Sequence, residues 1–458
     1  MRSTTPASPS SPAGPPRRAV LHGTTAVAAV GALGLAGCAD QLRTDDTGGD
    51  AGASAAPAAS GEPTAEARTI KIGYVTPQTG PLAPFGEADS FVIEALTAYF
   101  AENGITTGAG VSQVEIIVKD TQSDSTVAGD AAADLILTDQ VDLVLAGSTP
   151  DTVNPVADQC EANGVPCLSS LAPWQPFFFG RGGDPEAPFA WTYHFFWGLE
   201  DVIAVFLDMW DSVETNKVVG ALWPNDPDGN AWGDPELGFL PPITERGYTL
   251  VDPGFYANGT QDFTAQISQF KEAGVEILVG VPIPPDFTTF WNQAGQQDFA
   301  PAIATVGKAL LFPSSITAVG DRGDNLSSEV WWSPSHPFTS SLTGQTSAEL
   351  AEAWTEATGA PWTQPIGFVH ALFEVAVAAF AQTSGPDDKQ GLVDAFAGLT
   401  VDTVVGTVDW TSGPVPNVAK TQLVGGQWRT GEADPELVIV SNAQATDIPT
   451  AGEVEELA

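Results

Sequence analysis

Basic side chains are scarce. Of 458 residues only 16 are Lys or Arg, against 57 Asp or Glu, for a formal net charge of −41. Affinity for nucleic acid comes largely from Lys and Arg displacing counterions, so nucleic acid is excluded as a partner, and so is an anionic membrane surface. Three Cys in such a length make no disulfide scaffold, and no CxxC or His/Cys cluster has zinc spacing, so no metal is expected. A Walker A sequence, GxSxG, HExxH and a Cys/His pair are all missing, and the scattered Asp and Glu form no recognisable acid and base pair. An extracellular enzyme is therefore the least favoured reading, and no cofactor is expected. What is present is apolar mass: 43% hydrophobic against 16% charged residues buries a proper core. The length suits one large two-lobed domain or two to three smaller ones.

Residues 1–37 carry three Arg and no acid, then run small and apolar from Ala26 to Gly37. Arg17-Arg18 before Ala19-Val20-Leu21 resembles a twin-arginine export signal, and Leu35-Ala36-Gly37-Cys38 resembles the lipobox of bacterial lipoproteins, which is cleaved before a Cys that takes the lipid. Removing this segment would leave 13 basic against 57 acidic residues, a net charge of −44. Residues 38–67 are rich in Ala, Gly, Ser, Thr, Pro and Asp without apolar periodicity, and read as a flexible tether with a root-mean-square span of roughly 30 Å. No later segment is long and apolar enough to span a bilayer, so the expected location is outside the cytoplasmic membrane, anchored by lipid.

From Thr69 onward strands and helices alternate. Thr69–Thr76 reads as a strand, Glu87–Asn103 as a helix, Val114–Lys119 as a strand, and Val127, Ala131, Leu135 and Ile136 share a helix face. Val141–Ala146 is a largely apolar strand, a helix ends at Asn163-Gly164 where a Gly cap is expected, and Val165–Ser169 is a short strand. The pattern restarts with strands at Lys217–Leu222, Tyr248–Val251 and Glu276–Val281, and helices at Leu237–Arg246, Phe263–Ala273 and Asp286–Gln297. Helices follow at Ser347–Thr358, Ile366–Gln382 and Lys389–Leu399, with a β segment around Val404–Trp410. Consecutive βα units with apolar strands imply an α/β fold of two doubly wound lobes with parallel sheets, and ligands of such sheets sit at the carboxyl ends of the strands.

Ile70-Lys71-Ile72-Gly73-Tyr74-Val75, followed by Thr79-Gly80-Pro81 and Phe85-Gly86, resembles the opening of the type I periplasmic solute-binding proteins of the branched-chain amino-acid class. Asp120-Thr121-Gln122-Ser123-Asp124, Val144-Leu145-Ala146-Gly147-Ser148, Gly164-Val165-Pro166 and Gly406-Thr407-Val408-Asp409-Trp410 extend the resemblance in order to about Thr430. It implies two lobes joined by a three-segment hinge, closing around a small solute delivered to an ABC permease. The crossovers are expected near Thr192–Gly198, Thr305–Leu310 and Asp409–Gly413. Lobe one is then 69–193 with 309–408, lobe two 194–308 with 409–445, and 446–458 an acidic tail.

The resemblance also implies where a solute is held. The loop after the third strand is Gly147-Ser148-Thr149, with Thr152 opening the next helix, and hydroxyls and free N–H groups there suit an anion. The following loop, Ser169 to Trp174, carries Ala172, Pro173 and Trp174 where amino-acid binders keep a further Thr hydroxyl. Phe85 falls where relatives put an aromatic over the ligand. In lobe two, Asp226-Pro227-Asp228-Gly229-Asn230 stands where a cleft Tyr is usual; a calcium loop is excluded, since Gly229 as its sixth position would put Pro224 first. Val281 to Pro285, with Ile283 at its centre, lacks the usual polar and aromatic pair. Lys308 stands near the usual acid for an α-ammonium group, and reads either as an attractor for a carboxylate or as a surface Lys.

Thirteen Trp is an unusual number, and Trp174, Trp197, Trp223, Trp232, Trp331 and Trp332 fall near presumed cleft loops. About half are expected to be core; the rest favour a ring-bearing, sugar-like or cationic ligand. His336 and His370 read as edge contacts or as structural residues. Cys160 and Cys167 read either as a disulfide or as two small buried apolar residues. The leading function is an exported, lipid-anchored solute receptor for an ABC importer, whose solute is not a simple branched-chain amino acid and is acidic or ring-bearing. The alternative is a sensor of the same fold that signals to a membrane receptor.

Overall fold

The computed structural model describes residues 68–431 and 434–457. The export signal, Cys38 and the tether lie outside these residues. Among the described residues no helix is long and apolar enough to cross a membrane.

The first half of the chain builds β1 (Ile70–Thr76), the small hairpin β2 (Ile105–Thr107) and β3 (Gly110–Ser112), then β4 (Val114–Asp120), β5 (Leu143–Gly147), β6 (Cys167–Ser170) and β7 (Thr192–Phe195). Helices α1 (Asp89–Asn103), α2 (Ser125–Asp134), α3 (Pro150–Asn163) and α4 (Trp174–Phe178) fill the connections. Local chemistry sets their ends. Asp124 caps α2 by accepting from the N–H groups of Thr126 and Val127, and Gly164 closes α3 in the left-handed conformation, as its sequence predicts.

After α5 (Leu199–Asp211) come β8 (Val218–Leu222), α6 (Pro227–Trp232), β9 (Thr249–Val251), β10 (Ile277–Gly280), β11 (Ile303–Val306) and β12 (Ser327–Val330). The chain closes with the hairpin β13 (Thr400–Thr403) and β14 (Gly406–Asp409), then β15 (Val418–Ala419), β16 (Val424–Arg429) and β17 (Glu436–Ser441).

Two sheets result. Lobe one carries the order β15-β7-β6-β5-β1-β4, parallel throughout. Lobe two carries β17-β16-β12-β11-β10-β8-β9, parallel from β9 to β12 and antiparallel at β16 and β17. β5, β6 and β10 are buried along their whole length, so each sheet is covered on both faces. The helix Pro365–Phe380 is apolar nearly all round, and packs against α1 and β6 as the centre of lobe one.

Sheet membership corrects the expected crossovers. The first lies only at the end of the expected stretch: β7 (Thr192–Phe195) is still a lobe-one strand, so residues 194 and 195 belong with lobe one, and the chain passes at Phe196–Gly198 into α5, which packs on β12, β16 and β17. The second is not at Thr305–Leu310, because β11 is followed by β12 in the same sheet, so the return comes after Val330. The third is not at Asp409–Gly413, since β15 still pairs with β7 in lobe one; the crossing lies between Ala419 and Val424. Residues 309–330 therefore belong with lobe two and 409–419 with lobe one.

The physical reason is β12. Its sequence, Ser-Ser-Glu-Val, has no apolar signature, because Ser328 Oγ is satisfied within the sheet by donating to the Val306 carbonyl (2.9 Å). The acidic tail is also no free appendage: Leu457 N–H donates to the Ala302 carbonyl, and the Gln427 side chain binds the backbone at Glu455.

Cys160 and Cys167 are two buried free thiols, which corrects the disulfide reading. Both lie in the apolar cluster between α3 and β6; burial first, and then the neighbouring Cys167 thiol, push the Cys160 thiol up.

Candidate solute site between the lobes

The carboxyl ends of eight strands, β1, β5, β6, β7, β8, β10, β11 and β12, converge on one space. Lobe one contributes Phe85, Thr149, Leu171 and Pro173, and the first crossover contributes Phe196 and Trp197. Lobe two contributes Asp228, Trp232, Val281, Lys308, Leu311 and Glu329, and Trp331 stands where the second crossover begins. The cavity volume is about 20 Å³, about the room of a single water, so the lobes are closed and side chains fill the space between them.

Helix starts position the polar groups. Pro150 opens α3 directly after β5, which sets Thr149 at the cap position and Asp151 in the first turn, where a carboxylate is favoured by the helix dipole. Asp226 caps α6 by accepting from Gly229 N–H at 2.8 Å, and Pro227 at the first helical position fixes the turn that carries Asp228. Gly307, after β11, allows Trp232 and the Glu329 carboxylate to close over the backbone: a Cβ there would meet Trp232 Cη2 at 2.8 Å and Glu329 Oε1 at 3.1 Å. Lys308 follows in the left-handed region at φ 57°, a strained conformation for a non-glycine residue.

Electrostatics dominate the site. Lys308 Nζ lies 2.9 Å from Asp226 Oδ2 and 2.7 Å from Asp228 Oδ2, with all three side chains almost fully buried. Asp151 of lobe one joins the two lobe-two carboxylates, with one oxygen from each lying within 4.8 Å of the others. Burial alone would lower the Lys308 pKa, but Asp226, Asp228 and Asp151 together raise it well above its ordinary value. Burial pushes Asp228 up to about 6 despite Lys308, whereas Asp226, held by Lys308, Gly229 N–H and Asn258, ends below the ordinary range. Burial also raises Asp151, and it takes Glu329 to about 7 against the hydrogen bond from Ser328 Oγ. A metal ion fits poorly: the Lys308 ammonium already sits at hydrogen-bond distance from two of the three clustered carboxylates.

Several buried polar atoms on the wall have no protein partner: Asp228 Oδ1 and the indole N–H groups of Trp197, Trp232 and Trp331. Such groups cost about 1–3 kcal/mol each when left unpaired; the core indoles of Trp223 and Trp332 are unpartnered as well, so the free carboxylate oxygen of Asp228 is what sets the wall apart.

Of the residues singled out in the sequence, Phe85, Thr149, Pro173, Trp197, Asp228, Trp232, Lys308 and Trp331 line the cavity. Ser148 is buried beside it with an unpartnered Oγ, but is not on the wall. Ala172 serves the core, its carbonyl 2.7 Å from His194 Nε2, and Ile283 caps the next helix while Val281 takes the wall position. Trp174 turns outward, donating to Glu200 Oε1 at 3.1 Å and lining an open groove of about 1150 Å³. Trp223 and Trp332 are core, packed on Trp232 with Phe239 and on Trp362. His336 and His370 are buried partners of Ser333 and Ser340.

Lys308 is neither of the two things expected. It is buried, and its charge is already committed to carboxylates, so it is no free attractor for a carboxylate. Sequence reasoning missed Glu329, Asp151 and Phe196. Asp151 had one signal, an acid just after a helix-opening Pro.

Residues 69–432 match the family model described as periplasmic binding protein. Among solved structures, a leucine binding protein of Thermotoga maritima is 19% identical with a TM-score of 0.66, over 81% of this chain and 98% of its own. A branched-chain amino-acid binding protein of Streptococcus pneumoniae, in complex with isoleucine, is 16% identical with a TM-score of 0.62, over 81% and 99%. An ABC-transporter solute binding protein of Rhodopseudomonas palustris, in complex with 3,4-dihydroxybenzoic acid, is 16% identical with a TM-score of 0.65, over 83% and 99%. No curated protein matches the chain. The two sheets, one parallel and one mostly so, the three crossovers and the match over most of the chain make this protein a member of the periplasmic binding protein family, with the type I fold of the solute-binding proteins of ABC transporters.

Proposed function

We propose that the protein captures a small organic solute between its lobes, outside the cytoplasmic membrane, and delivers it to the permease of an ABC importer, tethered through a lipid on Cys38. The observation that carries this reading is the set of unpartnered buried groups on the cavity wall, Asp228 Oδ1 and the Trp197, Trp232 and Trp331 N–H groups. A bound solute would satisfy them, and its differential affinity for the closed arrangement would drive hinge closure. Structural neighbours whose complexes hold isoleucine, 3,4-dihydroxybenzoic acid and 4-hydroxybenzoate support a solute of that size. With room for about one water in the closed arrangement, the lobes must part to admit a ring-bearing solute, which would then meet Phe85, Phe196, Trp197 and Trp331.

Isothermal titration against a solute panel, read in parallel by Trp fluorescence, tests the reading, and mass spectrometry of whatever copurifies supplies the first members of the panel. Micromolar binding of one solute class, with a change in indole emission, is the expected result. Failure of every small solute to bind or to alter the emission would sink it. Labelling of Cys38 by radioactive palmitate in a bacterial host, absent in Cys38→Ala, tests the anchor.

A further inference from the structure

We propose that the solute is an organic cation: an ammonium group on an apolar, ring-bearing body that carries a neutral oxygen and no carboxylate. This rests on the interlobe cavity being the solute site, and it goes further by giving the chemistry that the cavity selects.

Charge is the first argument. Two carboxylates, Asp228 and Glu329, line the cavity, Asp226 and Asp151 cluster with Asp228 behind it, and Lys308 is the one cation among the described residues of its wall. Lys308 engages one oxygen of Asp226 and one of Asp228. The other Asp228 oxygen is buried and unpartnered, and the Glu329 carboxylate accepts from the Ser328 hydroxyl and, at a long 3.4 Å, from Lys308 N–H. A second positive charge is what this set lacks. An incoming carboxylate would be buried against an excess of like charge, which disfavours it.

The second argument is the α3 N-terminus. Its dipole and free N–H groups would suit a ligand carboxylate, but Asp151 of the chain itself stands in the first turn, with its Oδ2 3.5 Å from Thr149 Oγ1. An acid on the solute would meet this side chain.

The rest of the wall sets the body of the solute. Phe85, Phe196, Trp197 and Trp331 offer apolar and cation-attracting ring surface, and a divalent metal would find few oxygens among them. The unpartnered indole N–H groups of Trp197, Trp232 and Trp331 can only donate, so they call for an acceptor, which is the neutral oxygen.

The test is isothermal titration of the full chain with four matched probes: tyramine, tyrosine, 4-hydroxyphenylpropionate and 4-ethylphenol. It is run in moderate salt so that the acidic surface does not bind cations by itself. Tyramine is expected to bind at least about tenfold more tightly than the zwitterion and the anion. Asp228→Asn and, independently, Glu329→Gln should each weaken tyramine by about tenfold or more while moving 4-ethylphenol by less than about twofold; circular dichroism melts show that each variant is folded.

Preference for the anion or the zwitterion overturns the cation inference and leaves the cavity as a solute site. Tyramine binding that neither variant weakens overturns it too, because the amine is then held elsewhere. If all four probes fail, the comparison moves to ring-bearing amines and acids from the solute panel. Acids alone binding refutes the cation, while no member of either class binding takes the proposed function down with it.

Discussion

Lys308 shows how far a single residue can be read from sequence. Its place beside the cleft was legible, because it follows a β-strand whose carboxyl end must face the other lobe. Its electrostatic role was not, because the partner Asp226 lies 82 positions away and only the fold joins them. The same holds for Glu329, which no apolar pattern flags and whose burial gives it a distinctive titration. Its carboxyl sits at about 7 in the folded chain against an ordinary 4.5. The folded state then binds more protons than the unfolded one between those values, so this group lowers stability as pH rises from about 4.5 to about 7. Asp228, raised to about 6, acts in the same direction, and Asp226, lowered, in the opposite one. Buried Asp89, also near 7, adds to the wild-type slope, so the difference between two proteins is the clean quantity. Glu329→Gln should gain on the order of 2–4 kcal/mol over wild type on going from pH 4 to pH 8. Urea unfolding at both pH values measures it, and an unchanged difference between the proteins would show that Glu329 titrates normally.

At the scale of elements, the alternation of strands and helices was legible for β1, β4, β5, β6, β8, β9 and β10. It failed beyond them: the short apolar β11 was read as a crossover, β12 carries Ser and Glu in place of apolar residues, β16 and β17 were not read as strands, and with β11 and β12 went the position of the second crossover. The short loop between β11 and Lys308 shows what an element boundary must supply. Gly307 has no room for a side chain, with Trp232 Cη2 at 2.8 Å and both Glu329 oxygens at 3.1 Å from where a Cβ would stand. Neither neighbour can yield easily, since Trp232 packs on Phe239 with ring centroids 5.0 Å apart and Glu329 lies on a sheet strand. Gly307→Ala should therefore cost about 1–3 kcal/mol, and it should weaken solute binding more than a comparable change remote from the cavity, because the displaced groups are the wall itself. Chemical denaturation and titration of the same variant check both statements. A variant as stable and as tightly binding as wild type would mean that the loop relaxes without strain.

For the whole molecule, the charges decide how the lobes meet. Asp151 belongs to lobe one, and Asp226, Asp228, Glu329 and Lys308 to lobe two, so closure brings carboxylates of the two lobes together with one ammonium between them. Without that ammonium the closed arrangement would confine like charges at low dielectric, and an open one would return them to water. Lys308→Met should then shift the population toward open, raising the radius of gyration in small-angle scattering at pH 8. It should also lower stability by about 3–5 kcal/mol, the cost of leaving buried partners uncompensated. Acid should reverse the opening: as pH falls through the raised values of Glu329, about 7, and Asp228, about 6, their protonation removes the repulsion. The variant is expected to return to the wild-type radius near pH 5, where wild type itself changes little. A variant whose radius equals wild type at pH 8, or stays expanded at pH 5 while its circular dichroism is native, would show that packing rather than charge holds the lobes together.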